Sequence, residues 1–135
     1  MDLQGGCYCG AVRYQVSADP AFKGQCHCRE CQYIAGGFPN AVMGVPEPGF
    51  AYTKGAPKPF RRADLENPVT REFCADCGTH LLARSPAMPG MVMLKAGTLD
   101  DPSVFGTSEM AIFTAEKQSF HQLPEGVPAF ERTPG

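Results

Sequence analysis

No stretch of the sequence approaches the roughly 20 consecutive apolar residues that a membrane-spanning helix requires. The opening segment, MDLQGGCYCG, has neither a basic n-region nor an apolar h-region, so no secretory leader is expected and the protein is placed in the cytoplasm. A basic stripe is missing too. The formal net charge of −2 and a pI near 5.9 argue against nucleic acid or an anionic membrane as a partner. Good helix formers are nowhere gathered into a long amphipathic run, which argues against a helical bundle. No internal repeat or low-complexity linker marks a boundary, and 135 residues suffice for one modest core. A single domain over residues 1–135 is therefore expected.

The chain is instead rich in punctuation, with 15 glycines and 13 prolines. Such a composition favours a mainly β fold of short strands and long loops, with at most one or two short helices. In AVRYQV, residues 11–16, Val12, Tyr14 and Val16 alternate with polar neighbours, the period of a half-buried strand. CRECQYIA, residues 28–35, predicts two helical turns that place Cys28 and Cys31 on one face, with Gly36 and Gly37 as the stop. Residues 38–68 read as loops around a pocket mouth, with short strands near Phe50–Thr53 and Phe60–Arg62. VTREF and THLLA, on either side of Cys74–Cys77, predict a hairpin. MVMLKAG predicts a strand buried on both faces, AIFT one more strand, and the tail carries Phe130 as its anchor.

Seven cysteines decide the chemistry. An odd number cannot pair completely, and a reducing compartment opposes structural disulfides, so metal binding leads. They fall in three tight clusters: Cys7 and Cys9, then Cys26, Cys28 and Cys31, then Cys74 and Cys77. Sulfurs one or two residues apart point to a common centre when the backbone turns around an ion, and Gly10 and Gly78 follow two of the clusters to permit that turn. Tetrahedral zinc divides seven thiolates into a closed site of four and a site of three. We assign Cys7, Cys9, Cys74 and Cys77 to the closed, structural zinc, since clamping two distant hairpins is what such an ion does. Cys26, Cys28 and Cys31 remain for a second zinc with one position open to water or substrate. Spacing alone also allows Cys26 and Cys28 to join Cys74 and Cys77, and His27, His80 or an acidic residue to complete the second site.

Other readings of these residues are weaker. Cys28–Cys31 and Cys74–Cys77 each have thioredoxin-type spacing, but no βαβ pattern surrounds them. His80 reads as a strand residue, His121 as solvated surface, and Tyr33, Phe38, Phe50 and Tyr52 as core aromatics or cavity lining. Thiolate-rich zinc carries excess negative charge, for which Arg29 and Arg71 are the candidate counter-cations. Three thiolates also weaken zinc as a Lewis acid, which favours exchange of a substrate thiol over hydrolysis by bound hydroxide.

GGCYCGAVRYQV, CHCRECQ, REFCADCGTHL, GTLDDPSVF and IFTAEKQSFHQLPEGVPAFE occur in an order and spacing that resemble the glutathione-dependent formaldehyde-activating enzyme family, which includes centromere protein V. The resemblance covers nearly the whole chain. It implies the Mss4-like, zinc-stapled β fold, the same partition of the seven cysteines between two zinc ions, and carbon–sulfur lyase activity. The chain departs from the family pattern at Ala111-Ile112, where many relatives have His-Ile, and at Phe120-His121, where a tryptophan often follows the Glu-Lys pair. Two classes of function follow: a zinc-dependent lyase acting on adducts of a small thiol such as glutathione with formaldehyde, catalysed through Cys26, Cys28 and Cys31, or a non-catalytic zinc-stabilised binding module.

Overall fold

The computed structural model describes residues 2–134. Ten strands form two sheets, with one six-residue α-helix and four short 3-10 turns between them. The smaller sheet is antiparallel, ordered β1 (Leu3–Gly6), β2 (Arg13–Val16) and β5 (Phe50–Lys54). The larger runs β10 (Met110–Ile112), β3 (Phe22–Cys26), β4 (Asn40–Pro46), β9 (Met91–Lys95), β8 (His80–Arg84), β7 (Thr70–Phe73) and β6 (Lys58–Phe60). Only the β10–β3 pair in it is parallel. The mainly β class expected from the composition is what the chain adopts.

The core is built from alternate residues of both sheets. Tyr14 and Val16 of β2, Met43 and Val45 of β4, Leu82 of β8, and Val92 and Leu94 of β9 belong to one buried cluster. Tyr14 is the largest of these. Its ring lies 5.3 Å from that of Phe50, and its hydroxyl bonds the Thr98 hydroxyl at 2.8 Å, so the polar tip of a buried aromatic is satisfied. Gly5 lies opposite Tyr14 and also bridges to Leu99. Only a missing Cβ lets these segments approach so closely.

Most predicted elements are present. β2, β5 and β6 appear close to their expected places, β7 and β8 form the hairpin around Cys74–Cys77, and MVMLK is a strand with no exposed residue. The helix α1 spans Arg29–Ile34, capped by Cys28, whose sulfur accepts from the Cys31 N–H, and Gly36 and Gly37 follow it with φ of 73° and 103°. The reading of 38–68 as loops is corrected at its start. Asn40–Pro46 is β4, an interior strand paired on both edges. Pro39, Gly44 and Pro46 hid it, yet Pro46 ends the strand and Gly44 makes room for the Phe22 ring opposite. The tail is anchored less by the half-buried Phe130 side chain than by backbone, through Phe130 N–H to the Ala111 carbonyl at 2.8 Å and Thr114 N–H to the Phe130 carbonyl at 3.0 Å.

No helix among the described residues is long and apolar enough to cross a membrane. A methyl group at Gly5 would overlap the Thr98 carbonyl and the Tyr14 ring. Gly5→Ala should therefore lower unfolding free energy by about 1–3 kcal/mol, read as a shift in denaturation midpoint with unchanged m-value. An unchanged midpoint would show that the two sheets tolerate being pushed apart.

Candidate metal centre

The sulfurs of Cys7, Cys9, Cys74 and Cys77 lie within 4.8 Å of one another. Cys7 and Cys9 sit in the turn that joins β1 to β2, and Cys74 and Cys77 in the turn that joins β7 to β8. The group therefore ties the small sheet to the large one. Both turns have the same construction. Gly10 and Gly78 take φ of 82° and 80°, their N–H groups reach back to the Cys7 and Cys74 carbonyls, and the Val12 and Cys77 N–H groups donate to the Cys7 and Cys74 sulfurs at 3.2 and 3.5 Å. Thr79 supplies hydrogen bonds that hold the Cys77 thiol down at about 6, favouring its thiolate.

A second group comprises Cys26, Cys28 and Cys31, whose sulfurs also lie within 4.8 Å of one another. No imidazole nitrogen or carboxylate among the described residues joins it. Its positions follow from local structure: Cys26 ends β3, Cys28 caps α1, and Cys31 lies in the first helical turn. Cys26 and Cys31 are buried and Cys28 is half-buried. Hydrogen bonds from Cys26 and Cys28 hold the Cys31 thiol far below its usual range, with Asn40 and Arg71 adding to the effect, while the same pairing pushes Cys26 up. Both groups could hold a metal ion, and an all-sulfur donor set suits zinc.

The chain is similar to known proteins over most of its length. The family described as glutathione-dependent formaldehyde-activating enzyme matches residues 2–116. The chain belongs to that family. A Halomonas elongata protein that carries the family's name is 31% identical over 105 residues, covering 74% of this chain and 67% of its own length. A Penicillium rubens protein with the same name is 31% identical over 80 residues, 58% of this chain and 41% of its own. In fold, the chain is similar to a crystal structure of a Rhodobacter sphaeroides protein, with a TM-score of 0.63 at 18% identity over 78% of this chain and 97% of that one.

In this member of the family His27 is not turned toward the neighbouring sulfurs. It is fully buried, and both its ring nitrogens are engaged. The polarity of the network starts at the Gly37 carbonyl, which can only accept, so His121 carries its proton on Nε2, 2.7 Å away. His121 Nδ1 then accepts from the Gln118 N–H at 3.2 Å and from His27 Nδ1 at 3.0 Å. His27 Nε2 in turn accepts from Gln25 Nε2 at 3.0 Å, and the second proton of that amide goes to the Gln122 carbonyl at 3.1 Å. The expectation of His121 as solvated surface is corrected: it is 5% exposed and joins the tail to the cysteine loop. Gln32 adds a second tie, donating to the His27 and Glu116 carbonyls at 2.8 and 2.9 Å.

A polar row flanks the trio on the outer face of the large sheet. Cys26 pairs with Asn40, Val42 of the same strand pairs with Lys95, and Arg71 pairs with Ala83. A register shift at Leu81 lets both Leu81 and Leu82 enter the core and pairs His80 with Phe73, on the face that Arg71 shares. Asn40 Nδ2 lies 3.5 Å from the Cys31 sulfur. Burial pushes the Lys95 ammonium down to about 8, with Cys31 opposing and Arg71 reinforcing the shift. Burial also lowers His80, followed by the charges of Lys95 and Arg71. Of the two expected counter-cations, Arg71 is the one that acts on Cys31, while Arg29 stacks over Tyr33 at 4.9 Å and bonds Gln32. Lys95 was missed, although a lone charge inside the apolar run MVMLKAG was its signal.

Phe50 and Tyr52 pack against the core. Tyr33 instead borders a cavity of about 360 Å³ with Ile34, Phe60, Leu65 and Arg71, while Phe38 meets Phe120 edge-on at 5.7 Å.

The histidine pair has a consequence for pH. Burial, then the neighbouring His121 and Lys117, hold His27 below its ordinary value of 6.5. The unfolded chain therefore binds more protons than the folded one below that value, so stability is full above about pH 6.5 and declines as pH falls past it. The melting temperature of the wild type should drop more steeply between pH 7 and 5 than that of His27→Asn at equal metal content. Parallel profiles would show that His27 is not held below its ordinary value.

Proposed function

We propose that the protein is a zinc-dependent carbon–sulfur lyase that makes and cleaves adducts of a small thiol such as glutathione with a small aldehyde such as formaldehyde. In this reading Cys7, Cys9, Cys74 and Cys77 hold a structural zinc, and Cys26, Cys28 and Cys31 hold a second one. The observation that carries it is the inequality of the two groups, four sulfurs against three, with His27 committed elsewhere by both nitrogens. Three protein ligands leave a corner for substrate.

When bound there, zinc lowers the proton affinity of an incoming thiol, so that it is presented as a thiolate at neutral pH. The chain's own residues do the rest. The N–H of Cys31 and the Asn40 amide orient the sulfurs of Cys28 and Cys31, and the histidine network fixes the loop between β3 and α1. In the synthetic direction the thiol sulfur loses its proton and forms a bond to the aldehyde carbon. The carbonyl electron pair moves to oxygen, which takes up a proton. Nothing is oxidised or reduced, and the reverse step restores both reactants. Holding the two reactants side by side supplies much of the gain over solution.

Metal analysis should find two zinc ions per chain, one removed readily by chelators and one resistant. Cys28→Ser should lose the labile ion and stay folded, whereas Cys74→Ser should unfold, because structural zinc supplies folding free energy. A single tightly held ion in the wild type would refute the partition.

For the activity, exchange spectroscopy of formaldehyde and glutathione should show interconversion with the adduct accelerated on the order of tenfold or more by the zinc-loaded protein. Cys28→Ser should remove that acceleration. No acceleration with any small thiol would favour the binding module instead.

A further inference from the structure

Three buried polar atoms have no hydrogen-bond partner among the described residues: Asn40 Oδ1, His80 Nδ1 and Lys95 Nζ. Orphans of this kind are few in native proteins and each calls for an account. Here all three belong to the polar row beside the three-cysteine centre. Asn40 is 5% exposed and its amide orientation is set by the bond from Nδ2 to the Cys31 sulfur, which aims Oδ1 away from the sulfur as a free acceptor. Lys95 lies across the sheet from Val42, two residues along β4 from Asn40, and the Cys31 thiolate would act on its ammonium. The bulge at Leu81 is what brings His80 to that side, within the influence of Lys95 and Arg71.

We propose that Lys95, Asn40 and His80 form the oxygen-binding half of the site and hold the carbinol oxygen of the thiol–aldehyde adduct. The inference rests on the proposed function and adds the residues that recognise the aldehyde-derived part of the substrate. The mixed character of the set selects the ligand. Lys95 only donates, Asn40 Oδ1 only accepts, and the His80 nitrogen takes either role. A hydroxyl, which accepts from Lys95 and donates to Asn40, satisfies all of them. A carboxylate offers no proton to Asn40 Oδ1 and would leave it orphaned. As the S–C bond forms, charge gathers on that oxygen, and an ammonium already desolvated beside it stabilises the charge without reorganisation.

The test uses the full chain loaded with cobalt, whose sulfur-to-metal absorption reports a thiol at the metal. Ethanethiol, 2-mercaptoethanol and thioglycolate are titrated into wild type, Lys95→Met and Lys95→Arg. The hydroxyl-bearing thiol should bind roughly tenfold tighter than ethanethiol to the wild type, a preference lost in Lys95→Met and partly kept in Lys95→Arg. Ethanethiol itself should bind all three proteins within about twofold, which separates a lost oxygen contact from a damaged fold. Equal affinity for the two neutral thiols, a preference that survives in Lys95→Met, or a stronger preference for thioglycolate would each overturn the inference while leaving the proposed function in place. If no thiol changes the spectrum, the open-corner reading and this inference fall together.

Discussion

Like-charged sulfurs cannot be gathered in a folded chain without donors or a cation to hold them, and that constraint organises this protein. The first gathering joins two sheets. Its four sulfurs come from two turns separated by more than sixty residues, each turn closed by a left-handed glycine and each sulfur pair anchored by a backbone N–H. A chain of this size, rich in glycine and proline, buries a limited core, and an ion held by these four sulfurs would restrain the loops at the edge of that core.

The second cluster is positioned by secondary structure rather than by distant cross-linking. β3 delivers Cys26, the cap of α1 delivers Cys28, and the first helical turn delivers Cys31. What is distant is the support. The segment after β10 returns through Glu116, Gln118 and His121 to bond α1, the cysteine loop and Gly37. Every polar group of the His27–His121 pair finds a partner, so this side of the site is fully satisfied and fixed. Asn40, His80 and Lys95, by contrast, each keep one buried atom unmatched among the described residues.

Much of this was legible beforehand. The spacing of the seven cysteines, the helix with its glycine stop, the hairpin around Cys74–Cys77 and the mainly β class all follow from local pattern and turn chemistry, whose range is a few residues. β4 was not legible, because the prolines beside it and the glycine within it are local breakers, while its pairing with β3 and β9 is a non-local fact. His121 was misjudged for the same reason. A histidine in a polar tail looks solvated until the tail folds back and buries it to 5% exposure.

The sequence by itself determined which atoms are available: seven thiols in three clusters, the glycines that let two clusters turn, and a formal net charge of −2. Only the tertiary structure decided which sulfurs meet, that His27 faces His121 instead of its cysteine neighbours, and that Lys95, Asn40 and His80 share one face with Cys26. Those facts depend on strand register and on one bulge, where a shift of a single residue sends a side chain to the other side of the sheet.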